Sequence, residues 1–466
     1  MSEKSNGQKM LEALSYSKKN VFEEASTEKI KAIYDYAVGY MNYLDNAKTE
    51  REAVVASIAM LEKQGYTEYK IGDKIAVGDK KYLNQHGKCL IAFKIGTDDI
   101  ATEGIRILAS HIDSPRIDLK QIPMYEDAGM GFLKTHYYGG VKKYQWTAIP
   151  LALHGVIVKA DGEVVDVKIG DEASDPVFYI NDLLPHLGQR QSAEPLGTAI
   201  SGETLNILIG GLPYDDKDVS DKIKLTALSL LNDKYGITEE DFLSAELSLV
   251  PAFNARDIGF DRALIGAYGH DDKVCSYPAL TALIEGDATT KTVMVVLADK
   301  EEIGSVGMTG MQSDILVDVI NEISANLGKN NAVVRAKSKC LSADVTAAYD
   351  PNFADVYEKR NSAMISCGTT MSKYTGARGK SSTNDASAEF VGFIRRLFAE
   401  NDVIWQTAEL GKVDAGGGGT VAMYIANHNI ETVDLGVPVI SMHAPYEVVS
   451  KADVYSTHEA FLAFVK

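Results

Sequence analysis

TVMVVLADKEEIGS, residues 292–305, decides how this chain is to be read. Six of the seven residues at 293–299 are apolar, which predicts a strand in the interior of a parallel sheet, and Gly304 with Ser305 ends the run. Two adjacent glutamates, Glu301 and Glu302, stand at its exit. The carboxyl ends of such strands are where open α/β sheets build their sites. Neighbouring side chains of an extended segment point in different directions, so one carboxylate can bind a metal while the next faces substrate or water. The competing account is a solvated acidic turn, and the rest of the chain has to choose between the two.

A chain of 466 residues exceeds one ordinary core, so two domains or one domain with a large insertion are expected. Hydrophobic residues at 45% and charged residues at 24% are those of a soluble globular protein. No apolar run approaches the ~18 residues needed to cross a bilayer, and the opening MSEKSNGQKML lacks a signal-peptide core. A cytoplasmic location is therefore expected. Cys89, Cys275, Cys340 and Cys367 are far apart and form no CxxC, which indicates neither a disulfide framework nor a thiolate zinc site. A formal net charge of −18 argues against nucleic acid or anionic membrane as partner.

Residues 26–69 have a helical pattern, with Thr49 and Glu52 forming a capping box ahead of VVASIAML. Strand-like runs follow at 88–95 and 104–112, the second ending in ASHIDSPRIDLK. From 119 to 250 the texture changes to short alternating segments with many turns, as in LALHGVIVKADGEVVDVKIG, which reads as a β-rich inserted domain. Strand–helix alternation then returns, through LIGAYGHDD, YPALTALIEG, TVMVVLAD and CLSADV. The expected fold is α/β: residues 1–118 and 251–466 form one discontinuous domain, a sheet flanked by helices, interrupted by residues 119–250.

Five places set polar residues where apolar strands end: His111 with Asp113, Asp271 with Asp272, Glu301 with Glu302, Asp344, and His443. Singly, each has an ordinary reading, an incidental H-x-D, a helix cap or a satisfied core histidine. Together they would desolvate several carboxylates for no return, which is costly. Imidazole and carboxylate donors suit zinc, manganese or cobalt, and the missing thiolates disfavour a structural zinc. If Asp113 touches His111, it holds that ring's tautomer from behind.

With these motifs in place, the chain resembles the aspartyl aminopeptidase and aminopeptidase I family of cocatalytic metallopeptidases over nearly its whole length. The resemblance rests on SHIDSPR at 110–116, HDDK at 270–273, DKEEIGS at 299–305, SADV at 342–345 with PNF at 351–353, and MHAPYE at 442–447. It implies a zinc-peptidase (phosphorylase/hydrolase-like) mixed sheet, with the insertion serving dimerisation and a tetrahedral homododecamer as the assembly. It also implies that Asp271 bridges two divalent metal ions, that His111 and Asp344 complete the ligands of one and Glu302 and His443 those of the other, and that Glu301 is the general base. A cis peptide between Asp271 and Asp272 is part of the same pattern. His186, in PHL at 185–187, resembles a histidine that reaches a neighbouring subunit's active site as an oxyanion stabiliser.

The implied activity is removal of the N-terminal residue from peptides by water activated at two metals. Lys373 and Lys380 lie in MSKYTGARGKSSTND, where basic residues can pair with an acidic side chain; Asp414 and Gly418 belong to a glycine-rich stretch that the resemblance sets beside the site. Aspartyl-selective relatives carry an aromatic residue near Ser381 and Ser382, so an acidic or a neutral preference stays open. Two other readings separate by assay. A related two-metal amidohydrolase, such as a deacylase, carboxypeptidase or glutamyl aminopeptidase relative, changes the substrate, and a non-catalytic assembly would show no turnover.

Overall fold

The Thr292–Ala298 strand is buried at every position because its two faces meet two different cores. Val293, Val295 and Leu297 pack in one apolar cluster with residues of the helices Thr27–Asp45, His270–Glu285 and Lys451–Val465. Met294, Val296 and Ala298 pack in the other, against Leu316, Val319, Ile320 and Ile323 of the helix Ile315–Asn326. That alternation is the two-residue period of a strand with helices on both sides. The structure is a computed structural model and describes residues 4–286 and 290–466.

Thr292–Ala298 pairs parallel with Ile105–His111 but antiparallel with Cys89–Lys94. The expected parallel surroundings hold on one side only. An unbroken apolar run reports that both faces are covered and carries no information on the direction of neighbouring strands. The nine-stranded sheet is thus mixed. Its parallel core continues from Ile105–His111 to Lys339–Ser342 and Glu431–Gly436. The register sets Ala298 beside His111 and Ser342 beside Ala109, so the carboxyl ends of these strands share one edge.

A five-stranded sheet lies at that edge and includes Leu264–Ala267, Glu447–Ser450 and Pro438–Ile440. The first leads into the helix carrying Asp271, and the other two flank His443. A third sheet, of seven antiparallel strands, runs from Arg116–Asp127 to Ala245–Pro251 and has its own core around Trp146, Leu153, Ile207 and Leu249. The helix Glu50–Glu62, opened by the Thr49–Glu52 capping box, ties this sheet to the rest through charge. Glu50 meets Arg116 at 3.0 Å, Glu52 meets the buried His154 at 3.0 Å, and Lys48 meets Asp171 at 2.7 Å.

Among the described residues, no helix is long and apolar enough to cross a membrane. All four cysteines are free and buried.

Candidate metal centre

His111 ends the Ile105–His111 strand, Glu301 and Glu302 follow Thr292–Ala298 in a short 3-10 turn, and Asp344 lies two residues past Lys339–Ser342. Asp271 is the second residue of the helix His270–Glu285, with non-helical backbone angles, and its peptide bond to Asp272 is cis. His443 sits in the turn between Pro438–Ile440 and Glu447–Ser450 with φ +66°. Five segments distant in sequence thereby bring their polar ends together.

Asp271 is at the middle. Its Oδ1 is 3.1 Å from His111 Nε2, and its Oδ2 is 3.2 Å from His443 Nε2. Around His111 Nε2 stand Asp344 Oδ1 at 3.8 Å and Glu301 Oε2 at 4.0 Å; beside His443 Nε2 stands Glu302 Oε1 at 3.6 Å. Two donors each ~2.1 Å from one ion at tetrahedral angles are about 3.4 Å apart, so these separations suit atoms that share a cation.

The tautomers are determined by the far side of each ring. His111 Nδ1 donates to the Asp113 carbonyl at 3.0 Å, and His443 Nδ1 donates to the Gly140 carbonyl at 2.9 Å. A carbonyl oxygen only accepts, so each ring's Nδ1 carries a proton and Nε2 is the nitrogen left to face the carboxylates or a cation. Burial opposes the charged ring, but with no cation between them the carboxylates raise His443 to about 10 and hold His111 well above its usual value. The Asp113 carboxylate does further work: Oδ1 accepts the Glu301 N–H at 3.1 Å, and Oδ2 accepts the Glu302 N–H at 3.2 Å. Glu447 acts likewise, accepting the N–H of His443 at 2.7 Å and of Asp271 at 3.1 Å.

Burial, then repulsion from Asp344 and Asp271, pushes the Glu301 carboxyl up to about 8. Burial and the Asp271 charge hold Glu302 well above the usual carboxylate range, and burial with the Asp344 charge does the same for Asp272. Too many carboxyls thus face one another for the cations this chain supplies. The test for a metal is in the orphaned atoms: Asp271 Oδ1, Glu302 Oε1 and both Asp272 oxygens are buried with no hydrogen-bond partner. Buried polar atoms need partners. Divalent ions would satisfy the Asp271 and Glu302 atoms, and a nitrogen and oxygen donor set without thiolate suits zinc, manganese or cobalt. The residues fit the group.

Residues 43–465 match the family described as Aminopeptidase I zinc metalloprotease (M18). The chain belongs to that family. A probable M18 family aminopeptidase 1 of Clostridium acetobutylicum is 46% identical over 455 residues, which are 96% of this chain and 98% of the relative. An M18 aminopeptidase from Thermotoga maritima has a crystal structure matching at TM-score 0.92 and 40% identity, over 97% of this chain and 100% of that one. At 23% identity and TM-score 0.76, the dodecameric mApe1 of S. cerevisiae shares the fold over 92% of this chain and 96% of its own. This M18 chain is accordingly a zinc metalloaminopeptidase with the α/β fold of its relatives.

Beside the donors of this M18 chain lies a cavity of about 240 Å³, lined by Asp271, Glu301, Glu302, Asp344 and His443 on one side and by Thr346, Thr370, Leu410, Gly418, Asp434 and Met442 on others. Among the described residues, no lysine or arginine lines it. Lys373 and Lys380 are both paired with Asp385, Lys380 at 2.9 Å with its ammonium 3.6 Å from the Tyr374 ring centre. Asp414 is exposed and outside the cavity wall. His186 is exposed in the loop after Tyr179–Ile180 and is not among the residues that meet here. Sequence reasoning passed over Glu447, although MHAPYE shows a carboxylate four residues after His443, and it passed over Gly140, for which the sequence carried no signal beyond a glycine pair.

Proposed function

We propose that this aminopeptidase works through two divalent ions, one held by His111 and Asp344, the other by Glu302 and His443, with Asp271 between them. The carrying observation is that each oxygen of Asp271 faces the Nε2 of a different imidazole whose Nδ1–H is already spent on a backbone carbonyl. Zinc is the metal of the family's description, and manganese or cobalt suit the same donors. Bound there, the ions lower the pKa of a water and polarise the scissile carbonyl.

The chain's own residues handle the proton. Glu301 is the general base: its carboxylate lines the cavity with Oε2 4.0 Å from His111 Nε2, where it can take a proton from water and pass it to the leaving amine. Asp113 anchors the backbone of that base and orients His111. The N-terminal side chain of the peptide occupies the cavity against Gly418 and Leu410. A wall without lysine or arginine and with the buried Asp434 favours a neutral residue over an acidic one.

Residues 119–250 are read as the unit through which copies associate into a tetrahedral homododecamer, with His186 stabilising the oxyanion in a neighbouring copy's site. Exposed Leu183, Leu184, Leu187 and Leu196 on that unit support the association, as does the dodecamer of mApe1. The charge of −18 supports an enzyme acting on peptides, away from nucleic acid and anionic membrane, and its location is read as cytoplasmic.

The test is a metal count per chain together with turnover of amino acid amides before and after blocking their amino group. Two ions and a requirement for the free amine are expected. Full activity with one ion overturns the two-ion reading, and equal turnover of blocked substrates overturns the substrate class. A fully active monomer by light scattering overturns the role of His186.

A further inference from the structure

The inserted sheet reaches the metal centre at the end of one of its strands. Its strand Met130–Tyr138 ends beside Asp113, and the residues at 138–140 touch three separate groups of the centre. Tyr138 O–H donates to Asp113 Oδ2 at 2.8 Å. Gly139, at φ +74°, lies so close that an added Cβ would be 3.2 Å from Glu302 Cβ and 3.3 Å from its Oε2. The Gly140 carbonyl accepts the His443 Nδ1–H at 2.9 Å, and an added Cβ there would be 3.1 Å from that nitrogen.

We propose that residues 138–140 are a positioning strap by which the inserted sheet sets metal retention in the Glu302–His443 half of the centre. The proposal rests on the assignment of those two residues as ligands. Gly140 fixes the His443 tautomer and ring plane; hydrogen bonds of this kind behind a metal-binding imidazole raise its basicity and hold its orientation. Tyr138 adds a donor to the Asp113 oxygen that also receives the Glu302 N–H. The strap is itself anchored: the Arg116 guanidinium lies 4.0 Å from the Tyr138 ring centre and is bound by Glu50 at 3.0 Å and Asp118 at 2.8 Å. Arg116 and Tyr138 are also direct partners across the strand pair.

The two halves of the centre are therefore supported differently. His111 leans on a carbonyl two residues along its own segment, whereas His443 leans on one 303 residues away, just past the end of a strand of the inserted sheet. Displacement of that sheet reaches the second imidazole directly.

The experiment uses the full-length protein loaded with zinc and dialysed against graded chelator, with zinc per chain measured alongside kcat and KM. Gly140→Ala is expected to lose one ion at chelator concentrations about 10- to 100-fold below those needed for wild type, while the other ion stays. Tyr138→Phe, which removes a single oxygen, should shift in the same direction and decides the matter if Gly140→Ala does not fold. His443→Ala separates the layers. If it loses an ion while both strap variants titrate as wild type, the strap is overturned and the ligand assignment stands. If it keeps both ions, the ligand assignment fails and the strap with it.

Discussion

Asp113 Oδ1 accepts the backbone N–H of Glu301 at 3.1 Å, tying the proposed base to the segment that carries His111. Asp113→Asn replaces one acceptor by an amide donor that opposes the Glu301 N–H in one orientation and the Glu302 N–H in the other. Expected is a 10- to 100-fold loss, roughly, in metal affinity or turnover, read from kcat and from zinc content after dialysis. Unchanged values for both would show that the carboxylate does not orient the site.

Glu301 and Glu302 are adjacent, yet their substitution should separate. Glu301→Gln is expected to lower kcat by about 10²- to 10⁴-fold with zinc content intact. Glu302→Ala should lose zinc and activity together. Turnover of Glu301→Gln within a few-fold of wild type would remove it as the base.

The cavity wall predicts the preferred residue. Leucine or methionine amides should exceed glutamate amide in kcat/KM by at least about tenfold, because an acidic side chain would enter among carboxylates with no lysine or arginine to meet it. A preference for the acidic amide would mean that Lys373 or Lys380 leaves Asp385 to bind substrate.

Stability should depend on pH through His154, away from the metal centre. Burial works against its charge, but Asp171 at 3.4 Å and Glu52 at 3.0 Å raise its pKa above 6.5, with Lys168 also facing the two carboxylates. A raised imidazole contributes fully below its unfolded pKa of ~6.5 and loses that contribution as pH rises through the folded value. Burial likewise opposes the charge of Asp171, yet His154 and Lys48 hold its carboxyl below the usual range. That contribution is present above ~4 and fades only in acid. The Tm deficit of His154→Gln should therefore be largest at about pH 5 to 6 and shrink toward pH 9. A deficit independent of pH would mean that His154 stabilises by packing alone.

Gly436 passes so close to Asp344 that an added Cβ would fall 1.8 Å from its carbonyl oxygen. Gly436→Ala must push two backbone segments apart, at a cost of about 1 to 3 kcal/mol or more, and displaces a proposed ligand as it does so. A lower Tm and weaker zinc retention are expected together; retention unchanged at a lower Tm would argue that Asp344 is not a ligand.

Much of the centre was legible because its parts stand at strand ends. The run at 293–299 and the polar residues after it mark Glu301 and Glu302, and the same logic marks His111, Asp271, Asp344 and His443. Tyr138, Gly140 and Glu447 were not legible as supports. Nothing in a YGG triplet tells which carboxylate or imidazole it will meet, since those partners arrive from other sheets.

The sequence by itself determined that the run at 293–299 would be an interior strand, where apolar strands would end in donors, and that the donors lacked thiolates. Periodicity and residue chemistry are properties of single segments, so one chain suffices to read them. Only the tertiary structure decided that Thr292–Ala298 has one antiparallel neighbour, that Lys373 and Lys380 are taken up by Asp385, and that the His443 proton is held by Gly140. Each of these is a meeting of separate segments, settled by how the sheets and their cores pack, and no local pattern carries that free energy.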